Sequence, residues 1–299
     1  MTERSHIMAH FLLLLAMAFW GMTFVWTKIV LEAFQPVTIL LIRLSISSLL
    51  LWGFMLMYHK IQYVAGRDLR LFALSALFQP FIYFIGETYG VSYVSSTLSA
   101  IIISTIPVFM PLGSWISFRE PLGIRNLAGF LFAFAGVVLM VSGEEASGTT
   151  SLRGVLFLAT AVGAAVVNAI IVKRLTLKYN SVMIVSMQNS FGILYFIPLF
   201  LLLDLPSLDL AAGDYRTWRN LLALALFGST LAFLFFTHSI RHLGINRTGI
   251  FSNLIPVFTA LFAFLFLGEG FPLIKIAGMV VVLTGIVVVA MRKVTHPLH

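Results

Sequence analysis

The chain contains no cysteine, which excludes disulfide bonds and thiolate metal sites. Charged side chains are also scarce: Asp, Glu, Lys and Arg make up 10% of its 299 residues, against about 25% in soluble proteins. The motifs of catalysis are missing as well, because there is no H-E-x-x-H, no pair of deep carboxylates, no Ser/His/Asp set and no phosphate loop with Gly-Lys-Ser/Thr. We therefore expect neither an enzyme nor an ATP-driven pump, and we expect no cofactor and no metal site.

The chain consists largely of long runs of hydrophobic residues. Hydrophobic residues make up 60% of it, and its mean hydropathy is +1.02. Its apolar runs last about 20 residues without the alternation of a strand, and only helices satisfy the backbone of such runs inside a bilayer. The sequence predicts an all-α membrane protein with ten transmembrane helices. The predicted spans are 9–32, 36–58, 69–90, 94–117, 124–142, 152–174, 181–203, 217–240, 245–268 and 272–292.

The positive charges distinguish the two sides of the membrane. Most of the 19 Lys and Arg residues lie at alternate span ends, on the side where the first span begins. Because positive residues concentrate in cytoplasmic loops, we predict a multi-pass protein with both termini in the cytoplasm. The formal net charge of +8 does not indicate nucleic-acid binding, since these residues are spread between apolar runs and form no patch.

One stretch of the chain occurs twice. Residues 106–109, with sequence IPVF, return 149 positions later as residues 255–258. The pattern predicts two repeats, 1–146 and 147–299. Because five spans per repeat is an odd number, the second repeat enters the membrane from the opposite side. We therefore expect two inverted five-helix repeats around a central cavity, which is the architecture of alternating access.

Other residues in the repeat match at the same offset. It carries Glu120 onto Glu269, Gly129 onto Gly278 and Gly136 onto Gly285. Each glutamate precedes a predicted helix, so we expect it to cap the N-terminus of that helix. The glycines are expected to be notches that let neighbouring helices approach closely.

Polar and amphipathic side chains at mid-span are the candidates for a solute path, since lipid tolerates them poorly. Trp20 lies near the middle of the first span, where its ring either packs in the bundle or faces a cavity. Gln79 and Tyr83 share a face of the third span around Pro80, which frees a backbone carbonyl. Gln79 then either bonds a neighbouring helix or helps to line a hydrated site.

Arg43 is the one clearly intramembrane cation, about 10 Å deep in the second predicted span, and a charge at that depth needs a partner. Glu87 is a candidate for that partner. The guanidinium then either forms a structural ion pair or recognises a substrate carboxylate, for which its planar fork is suited. Four further deep polar residues either join helices or bind substrate: Ser99, Asn168, Gln188 and Asn253.

The repeated pattern resembles a known family. Pro-Val-Phe, then Glu, then Ala-Gly and a later Gly in both halves, with Trp20 and Arg43 before them, is similar to the EamA-type repeat of the drug/metabolite transporter (DMT) superfamily. Within it the chain looks most like the YddG exporters of bacterial inner membranes. The resemblance implies export of aromatic and other neutral amino acids, or related compounds, through a cavity between the halves. The chain departs from the pattern at Gln188, which stands where the first half has Arg43.

Two other hypotheses stay open. A multidrug or other small-metabolite transporter would have the same fold and differ in its substrates. A membrane-embedded enzyme or scaffold would need a catalytic cluster or a sizeable soluble domain, and the short linkers hold neither. For a transporter we expect a small-molecule substrate and the lipid bilayer as partners, and no nucleic acid.

Overall fold

The computed structural model describes residues 3–119, 123–145, 151–243 and 251–290. Every regular element within these ranges is helical, and the helices form ten spans, α1 to α10. Five of these spans are interrupted or contain wider or tighter turns and so consist of several segments. The spans are α1 (Glu3–Val30), α2 (Pro36–Met57), α3 (Gly66–Ala76, Leu77–Ile82 and Tyr83–Tyr93), α4 (Ser96–Ser104 and Ile106–Phe118), α5 (Ile124–Glu145), α6 (Leu152–Leu175), α7 (Ser181–Leu199 and Phe200–Asp204), α8 (Tyr215–Ala223, Leu224–Leu231 and Ala232–Leu243), α9 (Ser252–Leu254 and Ile255–Leu267) and α10 (Leu273–Ala290).

The ten predicted helices are confirmed. Among the described residues, eight helical stretches are long and apolar enough to cross a membrane, and shorter apolar helices at Ser252–Leu267 and Leu273–Val288 complete the set. The predicted start of the ninth span, at residue 245, lies outside the described residues, as does the predicted boundary between the repeats at residues 146 and 147.

Small polar residues mark where apolar spans begin. The side chain of Ser95 accepts a hydrogen bond from the backbone N–H of Leu98 at 3.1 Å and so caps α4. Asn180 does the same for α7 through the N–H of Met183, at 2.8 Å. These side chains satisfy N–H groups that have no partner inside the helix, and they set where each helix starts.

The third span is interrupted at Gln79, whose backbone is extended, with φ −146° and ψ 115°. Pro80 follows it, and proline cannot donate the hydrogen bond that would continue the helix. The third span is therefore broken at Gln79, next to the proline that the sequence analysis singled out. This break turns the Gln79 side chain and the end of the first segment toward the middle of the bundle, where the site described below is built.

Contacts between loops show that the spans alternate in direction. On the side where α1 begins, which we call the N-terminal face, Lys178 before α7 pairs with Asp68 at the start of α3, with a distance of 3.0 Å from Nζ to Oδ2. On the opposite side, the far face, Asp204 at the end of α7 accepts a hydrogen bond at 2.6 Å from the backbone N–H of Thr38 at the start of α2. Each contact joins ends that ten alternating spans place on the same face.

The crossing of α5 and α10 shows that the repeats are inverted. A Cβ added to Gly136 would lie 2.6 Å from the carbonyl oxygen of Gly278, and one added to Gly278 would lie 2.7 Å from that of Gly136. Two turns away, a Cβ on Gly285 would lie 2.9 Å from the carbonyl oxygen of Gly129. The helices are therefore antiparallel. Exchanging the repeats converts the contact between Gly136 and Gly278 into the contact between Gly285 and Gly129, as a twofold axis requires. The predicted packing notches are thus confirmed.

Glu269 caps a different helix from the one that the sequence indicated. Its carboxylate accepts hydrogen bonds from the backbone N–H of Ser96 at 2.7 Å and from the hydroxyl of Thr97, also at 2.7 Å, so it caps α4 of the first repeat. Lys275 lies 3.5 Å from the same carboxylate. The prediction that Glu269 caps the helix after it is therefore wrong, because the α9–α10 loop approaches the start of α4 on the far face. Glu120, its repeat counterpart, lies outside the described residues.

Candidate functional site

A cavity of about 370 Å³ lies between the two repeats. Its volume is within the range of about 300–1,000 Å³ that is common for small-molecule sites. Helices of both repeats contribute to its wall, from α1 to α4 in the first and from α6, α8 and α9 in the second. Five of the predicted site residues line it: Trp20, Arg43, Gln79, Tyr83 and Asn168.

A second cavity, of about 220 Å³, adjoins the first toward the N-terminal face. The two share lining residues, among them Gln79, Asn168 and Phe233. The second cavity reaches Thr176 and Ser181, at the end of α6 and the start of α7. Gln188, a sixth predicted site residue, lines it. Together the cavities lead from the middle of the bundle toward the N-terminal face.

The far face holds contacts between helix ends above the cavity. Lys28 at the end of α1 donates hydrogen bonds to the carbonyl oxygens of Val91 and Val94 at the end of α3, both at 2.8 Å. A cation at the C-terminus of a helix is favourable because the last carbonyls lack partners and the helix dipole is negative there. With the Glu269 cap on α4, these bonds join α1, α3, α4 and the α9–α10 loop on that side.

Arg43 lies at the end of the cavity nearer the far face, and it is 4% exposed. Its Nε donates a hydrogen bond to the hydroxyl of Ser229 on α8 at 2.5 Å. Its Nη1 is 3.8 Å from Oε2 of Glu87, so the predicted partner is confirmed. The guanidinium carbon also lies 4.4 Å from the ring centre of Phe84, a cation–π contact.

Glu87 lines the same cavity and is 8% exposed. Its Oε1 accepts a hydrogen bond from the hydroxyl of Tyr83, one turn earlier on α3, at 3.0 Å. The distance of 3.8 Å between Oε2 and the guanidinium of Arg43 is longer than the 2.7–2.9 Å that is typical of a charge-assisted hydrogen bond. The two charges therefore balance each other without a direct hydrogen bond.

An amide network stands where the two cavities meet. Asn168 on α6 donates to the side-chain oxygen of Gln79 at 2.9 Å and accepts from the hydroxyl of Ser75 at 2.7 Å. Gln188 on α7 donates to Ser75 at 2.8 Å and to Asn168 at 3.2 Å. Gln79 bonds a neighbouring helix, which is one of the two alternatives, and it also lines the cavity.

Aromatic rings form a further part of the cavity wall. The ring centre of Trp20 is 5.1 Å from that of Phe233 and 4.9 Å from that of Phe236, both on α8. Its indole N–H donates to the carbonyl oxygen of Gly228 at 3.2 Å. Trp20 therefore packs in the bundle and faces the cavity at once. The two phenylalanines line both cavities, but they carry no signal in a sequence with 28 Phe.

Two predicted site residues lie apart from the other six. Ser99 is fully buried, and its hydroxyl donates to the carbonyl oxygen of Ser95 at 2.9 Å within α4. Asn253 lies in the first, tighter turn of α9, next to Ser252, which lines the cavity. The buried side-chain oxygen of Asn253 has no hydrogen-bond partner among the described residues. Neither Ser99 nor Asn253 is part of the cavity wall described above.

Comparison with known proteins identifies the repeat. Residues 7–142 and 152–291 each match the EamA-like transporter family. The chain belongs to the EamA-like transporter family. This confirms the resemblance to the EamA-type repeats of the DMT superfamily, and it makes the protein a multi-pass membrane transporter and not an enzyme.

Relatives match the EamA-like chain over nearly its whole length. An uncharacterized transporter of Archaeoglobus fulgidus is 27% identical over 94% of this chain and 98% of its own. The uncharacterized transporter YetK of Bacillus subtilis is 26% identical over 93% of this chain and 85% of its own. A probable terminal-alkyne amino-acid exporter of Streptantibioticus cattleyicolor is 23% identical over 94% of this chain and 92% of its own.

A solved crystal structure shares the fold. It superimposes with a TM-score of 0.64 over 92% of this chain and 98% of its own, at 14% sequence identity. At that identity the likeness concerns the fold alone. The family and the relatives therefore support a small-molecule transporter, the solved structure supports the fold alone, and the substrate is argued below from the cavity.

Proposed function

We propose that this EamA-like transporter exports aromatic and other neutral amino acids, or related metabolites, across the bacterial inner membrane by alternating access. The observation that carries the proposal is the cavity of about 370 Å³, whose wall contains both the charged pair Arg43 and Glu87 and the ring of Trp20. A solute with a charged or polar head and an apolar ring or chain matches both the charged and the aromatic lining groups. The amino-acid exporter among the relatives is consistent with this class of solute.

The orientation of the chain is part of the proposal. With the Lys-rich and Arg-rich span ends in the cytoplasm, the N-terminal face is cytoplasmic, and the two cavities lead to that side. The chain has no cysteine, so a single introduced cysteine reports on its own position. Tyr63→Cys, in the loop before α3, should react with an impermeant maleimide only after cells are opened. Ser207→Cys, in the loop after α7, should react in intact spheroplasts; the reverse pattern would contradict the proposed orientation.

Transport is tested with purified protein in proteoliposomes. Vesicles preloaded with unlabelled L-phenylalanine should take up radiolabelled L-phenylalanine by counterflow, and vesicles without protein should not. A panel of L-tryptophan, L-leucine and L-threonine then tests how far the class extends. No counterflow of any of these amino acids would refute the amino-acid proposal.

A multidrug or broader metabolite transporter is the second candidate. It is favoured by the largely apolar wall of the cavity, which includes Phe24, Ile103 and Met110 besides the rings already described. Such a wall can bind lipophilic cations without any group that recognises an amino acid. Ethidium transport that L-phenylalanine does not inhibit would favour this second function, whereas mutual competition would place both solutes in one cavity.

A further inference from the structure

The charges around the cavity form one balanced pair. Among the described residues that line either cavity, Arg43 and Glu87 are the only acidic or basic ones. Both are more than nine-tenths buried. Removing the partner of a buried charge is strongly unfavourable, because the remaining charge is left without compensation. A ligand that enters between the two must therefore compensate both.

The pair has unused hydrogen-bonding capacity toward the cavity. Ser229 occupies Nε of Arg43, and Tyr83 occupies Oε1 of Glu87. In the described part of the chain, the terminal nitrogens of the guanidinium and Oε2 of Glu87 make no direct hydrogen bond. Their contact is the ion pair, with 3.8 Å between Nη1 of Arg43 and Oε2 of Glu87. A guanidinium offers five N–H donors and a carboxylate about four acceptor sites, so both groups can bind a ligand without losing the contacts that position them.

We propose, resting on the proposed function, that Arg43 and Glu87 together bind the zwitterionic head group of an α-amino acid. The α-carboxylate binds the terminal nitrogens of Arg43, whose fork suits two carboxylate oxygens. The α-ammonium binds Oε2 of Glu87. The two ligand charges lie on neighbouring groups, as the two protein charges do, so the complex leaves no buried charge uncompensated.

The rest of the cavity determines what side chain the amino acid carries. Trp20 and Phe236 line the same cavity as the charged pair, and their ring centres are 4.9 Å apart. An aromatic or large aliphatic side chain buries its surface against these rings, whereas a second charged group would find no partner there. A simple carboxylic acid would pair with Arg43 alone, and a simple amine with Glu87 alone. In either case the other protein charge would lose its partner.

The test compares three compounds that differ only in the head group. Isothermal titration of purified protein should give L-phenylalanine at least about tenfold tighter binding than 3-phenylpropionate, which lacks the ammonium, or 2-phenylethylamine, which lacks the carboxylate. Each hydrogen bond to a charged group contributes enough free energy for such a factor. This comparison uses the wild-type protein alone, so it stands even where a variant fails to fold.

Variants then assign the two contacts. Glu87→Gln should bring L-phenylalanine and 3-phenylpropionate to within about threefold of each other while keeping the preference over 2-phenylethylamine. Arg43→Gln should do the reverse. Arg216→Gln, which removes an exposed arginine that pairs with Glu32 at 3.9 Å on the far face, is the matched control and should leave all three affinities unchanged.

The outcomes separate this inference from the function on which it rests. Equal wild-type affinity for L-phenylalanine and both analogues would overturn the head-group assignment and leave amino-acid transport in place. Variants that weaken all three compounds by the same factor would also overturn it, since the two charges would then support the fold only. Absence of both binding and counterflow of L-phenylalanine would overturn the proposed function together with the inference.

Discussion

Arg43 and Gln188 occupy equivalent places in the two repeats and make equivalent contacts. Arg43 on α2 donates to Ser229 on α8, and Gln188 on α7 donates to Ser75 on α3 at 2.8 Å. The helices α7 and α8 are the second-repeat counterparts of α2 and α3. The geometry of the position is therefore kept in both halves, but only one half carries a charge. This difference concentrates the charged part of the cavity toward the far face and leaves a neutral amide network toward the N-terminal face.

Trp20→Ala should lower amino-acid counterflow by about tenfold or more, because it removes the ring that lines the cavity and its contacts with two phenylalanines. Trp20→Phe should retain much of the activity, since it keeps an aromatic surface. Trp115→Ala is the control, because Trp115 is 48% exposed on α4 and does not line the cavity. Initial counterflow rates at matched protein content measure the effect. Equal rates for the Trp20 and Trp115 alanine variants would place the site elsewhere.

Glu269→Ala should loosen the far face. It removes the acceptor for the N–H of Ser96, the hydroxyl of Thr97 and the ammonium of Lys275. Leaving such groups without partners costs about 1–3 kcal/mol. A single Leu98→Cys, fully buried one turn into α4, should therefore react faster with a maleimide in this background.

The control for this labelling experiment is Glu32→Ala, which removes an exposed carboxylate on the same face. Because that pair is solvated, its loss should leave the labelling rate of Leu98→Cys unchanged. A rate that rises equally in both variants would show that the effect comes from general loss of charge on the far face and not from the cap on α4.

Gly136→Ala should destabilise the α5–α10 crossing, because the added methyl group would lie 2.6 Å from the carbonyl oxygen of Gly278. Overpacking of this kind costs about 1–3 kcal/mol. Gly53→Ala on α2 is the matched control, since its new Cβ meets no atom within 4 Å, and alanine favours a helix over glycine. Thermal unfolding in detergent should show a lower midpoint for Gly136→Ala only. Equal midpoints would mean that the helices can separate at no cost.

Asp214 should give the start of α8 a dependence on acidic pH. Hydrogen bonds from the backbone N–H and hydroxyl of Thr217 hold the pKa of this carboxyl below its ordinary value of 3.8. A lowered pKa in the folded state means that the stabilisation is present above about pH 4 and is lost as the pH falls through the folded pKa.

The comparison that measures this effect uses Asp214→Asn, which keeps a side-chain acceptor that does not titrate in this range. The unfolding midpoint of the wild type should exceed that of the variant at pH 6, and the difference should shrink below pH 4. A difference that stays constant between pH 6 and pH 3 would show that the charge of Asp214 does not contribute to the cap.

The sequence predicted features that depend on position along one helix. Apolar length gave the ten spans, and the depth of Arg43 in its span required the buried partner that Glu87 supplies. The matched glycines followed from the repeat offset, and the structure places them at the crossing of α5 and α10. Each of these follows from a free-energy cost: that of an unpaired polar group inside a bilayer, or that of a bulky side chain where two helices touch.

Other features depend on which helices meet, and the sequence does not state this. Glu269 caps a helix that begins 173 residues earlier, so its position before Gly270 pointed to the wrong helix. Phe233 and Phe236 belong to the cavity only because α8 turns them toward α1. Ser99 is fully buried, but its hydroxyl bonds the carbonyl oxygen of Ser95 within its own helix. Depth alone does not distinguish a wall of the cavity from a packed interface.

The glycine crossing of α5 and α10 has a mechanical consequence. Backbones that touch directly, with no side chain between them, resist sliding but allow a small change of tilt about the point of contact. Because the repeats are related by a twofold axis at this crossing, we expect it to serve as the pivot of a rocking motion between them. A rocking motion about such a pivot would open the cavity to one side of the membrane as it closes it to the other.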